Sequence, residues 1–148
     1  MRFMVIMYPG AKAEAEAGPT DQLTNDEVAA MGKFNEELVA AGVILAGEGL
    51  QPTRKGARVR FQGGKPTVSH GPFTDAKEIV GGFWLWQVAS KEEAIQWAQR
   101  CPCGDDAFVE LRQVYEMEDF AQDYGDAFTP EMQASETRMR EQVAAQHK

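Results

Sequence analysis

Ten consecutive residues, Ser69-His70-Gly71-Pro72-Phe73-Thr74-Asp75-Ala76-Lys77-Glu78, gather an imidazole, two carboxylates and an ammonium around a Gly-Pro turn. An imidazole exchanges protons near neutral pH, so His70 is a candidate acid-base catalyst and Asp75 the candidate group that orients it. Lys77 and Glu78 are candidate substrate-binding charges beside them. Glu110 and Arg112 form a second candidate set. Two residues apart on a strand, they share one face, opposite Val109 and Leu111, and a carboxylate beside a guanidinium can hold a small polar or anionic molecule. Each set also has a plainer reading. Gly71-Pro72 can simply turn the chain, with Thr74 to Glu78 solvating the loop, and Glu110 with Arg112 can be a structural salt bridge.

Other chemistries find less support. Cys101 and Cys103 follow a predicted helix C-terminus, whose partial negative charge disfavours a thiolate, so no cysteine nucleophile is expected. With only two histidines in the chain, one of them, His147, near its end, no metal site is expected either. The phosphate-cradling G-x-G-x-x-G and P-loop patterns and the G-x-S-x-G elbow are absent, which predicts neither a nucleotide cofactor nor serine hydrolysis.

The chain of 148 residues is long enough for one sizeable core. Its net charge of -8 repels phosphate backbones, so nucleic acid is not an expected partner. The cluster Arg54-Lys55-Gly56-Ala57-Arg58-Val59-Arg60 reads as a solvated hairpin face. No apolar run reaches the roughly 20 residues of a membrane helix. The apolar start Met1 to Tyr8 serves better as a strand than as a signal peptide, and a cytoplasmic, reduced setting is expected.

The elements that would position these residues follow from periodicity. Arg2 to Tyr8 is a strand with two apolar faces, Phe3, Val5 and Met7 on one and Met4, Ile6 and Tyr8 on the other. Pro9 to Asp21 lacks periodicity and reads as a mobile surface loop. Thr24-Asn25-Asp26-Glu27 has the spacing of a capping box, and Val28, Met31, Phe34, Leu38 and Ala41 form the inward stripe of a helix that Gly42 ends. Val43 to Ala46 is a strand broken by Gly47 and Gly49. Ala57 to Phe61 and Lys65 to Ser69 make a hairpin about Gly63-Gly64. Phe83 to Val88 is a strand apolar on both faces. Ser90-Lys91-Glu92-Glu93 opens a second helix that Pro102 stops, Phe108 to Tyr115 is the last strand, and Thr129-Pro130 starts a further helix.

That order, β-α-β, hairpin, β-α-β, predicts an α+β fold: a ferredoxin-like antiparallel sheet with two helices on one face, an inserted hairpin, and a C-terminal helical extension. The helices cover one sheet face, yet two strands are apolar on both. A second copy of the chain is the simplest cover, so a homodimer is expected. Residues 1–117 would be the α+β domain. Residues 118–148 would be a helical tail packed on the domain or the partner subunit, with Phe120, Tyr124 and Phe128 as anchors.

The segment from Gly71-Pro72-Phe73 through Lys77-Glu78 to Gly81-Gly82 resembles the DGPF branch of the YCII-related family, with His70 where the aspartate of the branch's motif is expected. Phe34-Asn35-Glu36-Glu37-Leu38, Gly47-Glu48-Gly49-Leu50-Gln51-Pro52, Arg100-Cys101-Pro102 and Val109-Glu110-Leu111-Arg112 are similar to that branch in the same order, over residues 1–117. The resemblance implies a dimeric α+β barrel. It leaves two functions open: a cofactor-independent acid-base enzyme of isomerase or lyase type acting on a small polar or anionic organic molecule, or a non-catalytic ligand-binding or regulatory dimer associated with sigma-factor systems.

Overall fold

The computed structural model describes residues 1–10 and 24–147, which form two compact units, Met1–Gln113 and Val114–Lys148. Most of the predicted loop Pro9 to Asp21 therefore lies outside the described residues.

In the first unit, strands β1 (Arg2–Tyr8), β2 (Ile44–Gly49), β5 (Gly82–Gln87) and β6 (Phe108–Gln113) make one sheet in the order β2-β5-β1-β6. All three pairings are antiparallel. Two of the connections carry helices, α1 (Asn25–Ala40) after β1 and α2 (Lys91–Ala98) after β5. With the hairpin set aside this is the β-α-β-β-α-β arrangement that the sequence predicts. The hairpin, β3 (Ala57–Gln62) and β4 (Lys65–His70), is a separate two-stranded sheet. Gly63 and Gly64 make its turn at φ 60 and 77, the left-handed pair that a two-residue turn requires.

Local signals act as their chemistry predicts. The Thr24 hydroxyl accepts from Glu27 N–H at 3.2 Å, and Thr24 N–H donates to the Glu27 carboxylate at 2.8 Å, closing the capping box of α1. At its other end Gly42, at φ 68, lets Val43 N–H reach back to Leu38 O at 2.9 Å, so the last carbonyls are satisfied. Ser90 caps α2 through Glu93 N–H, and Glu93 in turn accepts from Ala89 N–H at 2.7 Å. That helix ends at Ala98, ahead of Pro102.

Both helices pack on one sheet face. Phe34 and Leu38 of α1 and Ala94 of α2 are buried with Phe3, Val5, Trp84 and Trp86, and Val109 and Leu111 border the same core. Burying side chains the size of Leu38 or Val5 contributes roughly 1.5–3 kcal/mol each. Trp86 is fully buried, and its indole N–H has no acceptor among the described residues. Trp84 is anchored by an indole N–H to Asn35 Oδ1 bond of 2.9 Å.

Two elements differ from expectation. The second strand does not stop at Gly47 but runs to Gly49. Gly47 pairs with Trp84, and a Cβ there would lie 2.7 Å from Trp84 Cδ1; the glycine makes room for the indole instead of breaking the strand. The last strand ends at Gln113, not Tyr115.

The second unit holds α3 (Met117–Tyr124) and α4 (Pro130–Gln146). The sequence marks a helix start in this tail only at Thr129-Pro130, and α3 lies ahead of it. Its start carries a local signal all the same, Glu116 N–H donating to the Asp119 carboxylate at 2.8 Å. Thr129 caps α4 through Met132 N–H, with Pro130 in the first turn. Phe120 stacks with Tyr115 at 4.8 Å, Phe128 at 5.1 Å and Tyr124 at 5.9 Å, so the three predicted anchors pack on one another within this unit.

Candidate functional site

Antiparallel partners point the same way, so the pairing register sorts every sheet residue onto a face. Phe3, Val5, Trp84, Trp86, Val109 and Leu111 share the helix-covered face. Glu110 and Arg112 are therefore on the opposite face, which neither α1 nor α2 covers. Two cross-strand rows define it. Arg112, Met4, Leu85 and Ala46 align in one, and Glu110, Ile6, Phe83 and Glu48 in the next. The middle is apolar and open: Met4 is 38% exposed, and Ile6, Phe83 and Leu85 are half-buried. Charges stand at its two edges, Glu110 and Arg112 on β6 and Glu48 on β2.

Arg112 Nη1 lies 3.2 Å from Glu110 Oε1. The arginine side chain is 72% exposed and the glutamate 38%, so the guanidinium is neutralised on one side and free to meet a second anion on the other. Glu48 is a member of this face that sequence reasoning left among the resemblance motifs. Its signal was the alternation Ala46, Glu48 between glycines, masked by reading Gly47 and Gly49 as breaks.

The other four candidates sit apart from this pair. His70 is the last residue of β4, paired with Ala57, and its exposed imidazole makes no hydrogen bond or ion pair among the described residues. Asp75 does not orient it; the carboxylate accepts from Lys77 N–H at 3.2 Å, within its own turn. Glu78 is 3.9 Å from Arg58, whose guanidinium lies 4.0 Å over the Phe73 ring. Lys77 is exposed. This segment is tied to the chain before β3 by two bonds, Gly71 N–H to Gly56 O at 3.1 Å and Phe73 N–H to Thr53 Oγ1 at 2.9 Å. Ile79, which follows it, is buried. The segment follows β4 of the hairpin and leads into β5, whereas Glu110 and Arg112 stand on edge strand β6. Two strand spacings of about 4.8 Å separate β5 from β6, roughly 10 Å.

The motif residues scattered along the sequence meet in space elsewhere. Arg100 pairs with Glu37 of α1 and lies 4.4 Å over the Trp97 ring, while Asn35 and Gly47 converge on Trp84. These are packing contacts that hold both helices on the sheet. Beside them, Cys101 and Cys103 have their sulfurs 3.2 Å apart. Contrary to the expectation from the helix end, Cys103 is lowered to about 7, because Cys101 can donate a hydrogen bond to its thiolate, and burial only partly opposes this. Cys101 is pushed up by the same bond, then by burial and the charge of Cys103. Among the described residues no cluster of three or more His, Cys, Asp or Glu side chains could hold a metal ion, and no helix is long and apolar enough to cross a membrane.

A four-stranded antiparallel sheet with two helices on one face and a charged rim on the other defines an α+β protein with one sheet face that α1 and α2 leave uncovered. The chain belongs to the YCII-related family: the YCII-related domain model matches residues 1–118. It is 38% identical over 61 residues to an uncharacterised protein of Rhizobium meliloti (strain 1021), a match spanning 41% of this chain and 49% of that protein. Among solved structures it is similar to 5-chloro-2-hydroxyhydroquinone dehydrochlorinase from Burkholderia phenoliruptrix AC1100, in complex with 2,5-dihydroxybenzoquinone. That likeness has a TM-score of 0.41 at 18% identity and covers 80% of this chain and 98% of the other.

Proposed function

We propose that the protein is a homodimer that binds a small polar or anionic organic molecule on the open sheet face, and acts on it by acid-base chemistry without a cofactor. The observation that carries this reading is the Glu110–Arg112 pair, standing on the rim of an apolar floor with most of the guanidinium exposed. Arg112 takes the anionic group, Ile6, Phe83 and Leu85 support the carbon skeleton, and Glu110 exchanges a proton with it. A second copy supplies the cover that the half-exposed apolar side chains call for. His70, Asp75, Lys77 and Glu78 would join such a site from the partner subunit, since within one protomer they precede β5, two strands from β6.

A non-catalytic ligand-binding or regulatory dimer is the second reading. The lack, among the described residues, of any group orienting the His70 imidazole favours it. One experiment separates the two. Small organic anions, including 2-oxo acids and hydroxylated aromatic acids, are screened by NMR line broadening in deuterated buffer with the wild-type chain, Arg112→Ala and Glu110→Gln. Binding lost in Arg112→Ala supports recognition by the pair. Deuterium entering the ligand's acidic C–H position with wild type but not with Glu110→Gln supports proton transfer. Binding without exchange in any variant supports the regulatory reading, and equal binding by all three variants refutes the site.

A further inference from the structure

The open face leaves unused one cluster of reactive groups, the two cysteines beyond α2. Cys101 N–H is held by Ala98 O at 3.1 Å, and Cys103 N–H folds back to Cys101 O at 2.8 Å. That tight three-residue turn, with Pro102 fixing its middle, brings both thiols to one side and sets the sulfurs 3.2 Å apart. Both residues are half-buried, so a small reagent can reach them while Cys101 still packs against the core.

We propose that Cys101 and Cys103 form a dithiol site for exchange with low-molecular-weight disulfides, with Cys103 as the attacking sulfur and Cys101 as the resolving one. In the first step the Cys103 thiolate attacks one sulfur of the disulfide RSSR; a Cys103–SR bond forms, the S–S bond breaks, and RS⁻ leaves. In the second, Cys101 gives up its proton to solvent base and attacks the Cys103 sulfur, forming the Cys101–Cys103 disulfide and expelling the second RS⁻. The two cysteines lose two electrons and two protons, and RSSR becomes two RSH.

Closing the bond brings the sulfurs from 3.2 Å to about 2.05 Å, a small movement for side chains already on one side of a turn. The ring encloses a single intervening residue, so closure restrains the unfolded chain very little and the disulfide is readily reduced again. Cys103 Sγ donates to Cys101 Sγ at 3.2 Å, and once Cys103 ionises the Cys101 thiol can donate in return and stabilise the thiolate that attack needs. With Cys103 lowered to about 7, its thiolate fraction at neutral pH exceeds that of an ordinary cysteine.

The test uses the full chain, reduced, with one equivalent of a nitrobenzoate disulfide that releases a coloured thiolate. Two thiolates released per reagent, with a product two hydrogens lighter and no adduct, are expected. Cys101→Ser should stop at one thiolate and keep the adduct, because the resolving sulfur is gone. The rate of Cys103 alkylation by iodoacetamide should rise through about pH 7 in the wild type and shift upward, toward the range of an ordinary thiol, in Cys101→Ala. If the wild-type chain releases one thiolate and retains the adduct, or cross-links between chains on a non-reducing gel, the proposal is overturned. The wild-type stoichiometry decides the matter even if a cysteine variant does not fold.

Discussion

Replacing Gly47 by alanine tests how tightly the helix-covered face is built. The added Cβ would lie 2.7 Å from Trp84 Cδ1, about 1 Å inside normal carbon contact. The indole cannot simply swing away. It is 7% exposed, lies edge-on to Phe34 at 6.1 Å and beside Trp86 at 6.0 Å, and its N–H is held by Asn35 at 2.9 Å. A retreat of about 1 Å would break that bond, at ~0.5–1.5 kcal/mol, on top of ~1–3 kcal/mol of overpacking. Reduced freedom of the unfolded chain returns ~0.4–1 kcal/mol, so the expected net loss is about 2 kcal/mol. Gly49→Ala is the matched control, because a Cβ there meets nothing within 4 Å; it should be neutral or slightly stabilising. Urea unfolding followed by tryptophan fluorescence measures both, with a midpoint shift near 1 M for Gly47→Ala at ordinary slopes. In an Asn35→Ala background the penalty should shrink by about the value of the lost hydrogen bond. Equal midpoints for the two glycine variants would show that the indole is not pinned as described.

Two further outcomes follow from positions already described. Leu85→Glu, on the open face, should leave the protomer folded but prevent self-association, since a paired surface would have to bury the new carboxylate; sedimentation that detects an unchanged dimer removes that face as the interface. Tyr115 is pushed up to about 12, first by the hydrogen bond it donates to Asp123 at 2.9 Å and then by one with Tyr124. Its folded value exceeds its unfolded value of about 10, so the contact supports the fold fully below pH 10 and its contribution is lost as pH climbs through 12. NMR of the Tyr115 ring should show its titration moving down in Asp123→Ala, and an unmoved curve would rule out that carboxylate as the cause.

The fold was legible because its signals are local and redundant. The Thr24/Glu27 box, Gly42, the Gly63-Gly64 pair and Thr129-Pro130 each leave a fixed spacing in the chain, and two-residue alternation in β1 and β5 exposed a sheet with two apolar faces. The site was half legible for a related reason. Glu110 and Arg112 share a face by strand geometry alone, and only the identity of the covered face was missing. Residues 70–78 were less legible, because dense titratable groups have the same sequence appearance whether they converge on a ligand or satisfy their own turn; within one protomer Asp75 bonds Lys77 N–H and not His70. Glu37 with Arg100, and Asn35 with Trp84, are contacts between distant segments for which no spacing rule exists. The Cys103 shift was missed because the helix end was weighed and the neighbouring thiol was not.

The hairpin β3–β4 has a consequence for how the protein behaves in concentrated solution. A ribbon of two strands has no interior strand: each member carries one outer edge with free backbone donors and acceptors, a template on which another extended chain can grow. One flank compounds the hazard, since Val59, Phe61 and Val68 are 52%, 82% and 61% exposed on the same side. The sequence guards this arm in two ways. Pro66, opposite Phe61, withholds a donor from its edge, and Arg58, Arg60 and Lys65 place like charges along the ribbon so that two arms approaching edge to edge repel. Colloidal stability of the protein thus depends on a handful of cations in a chain that is otherwise acidic, and it should fall with rising salt as that repulsion is screened.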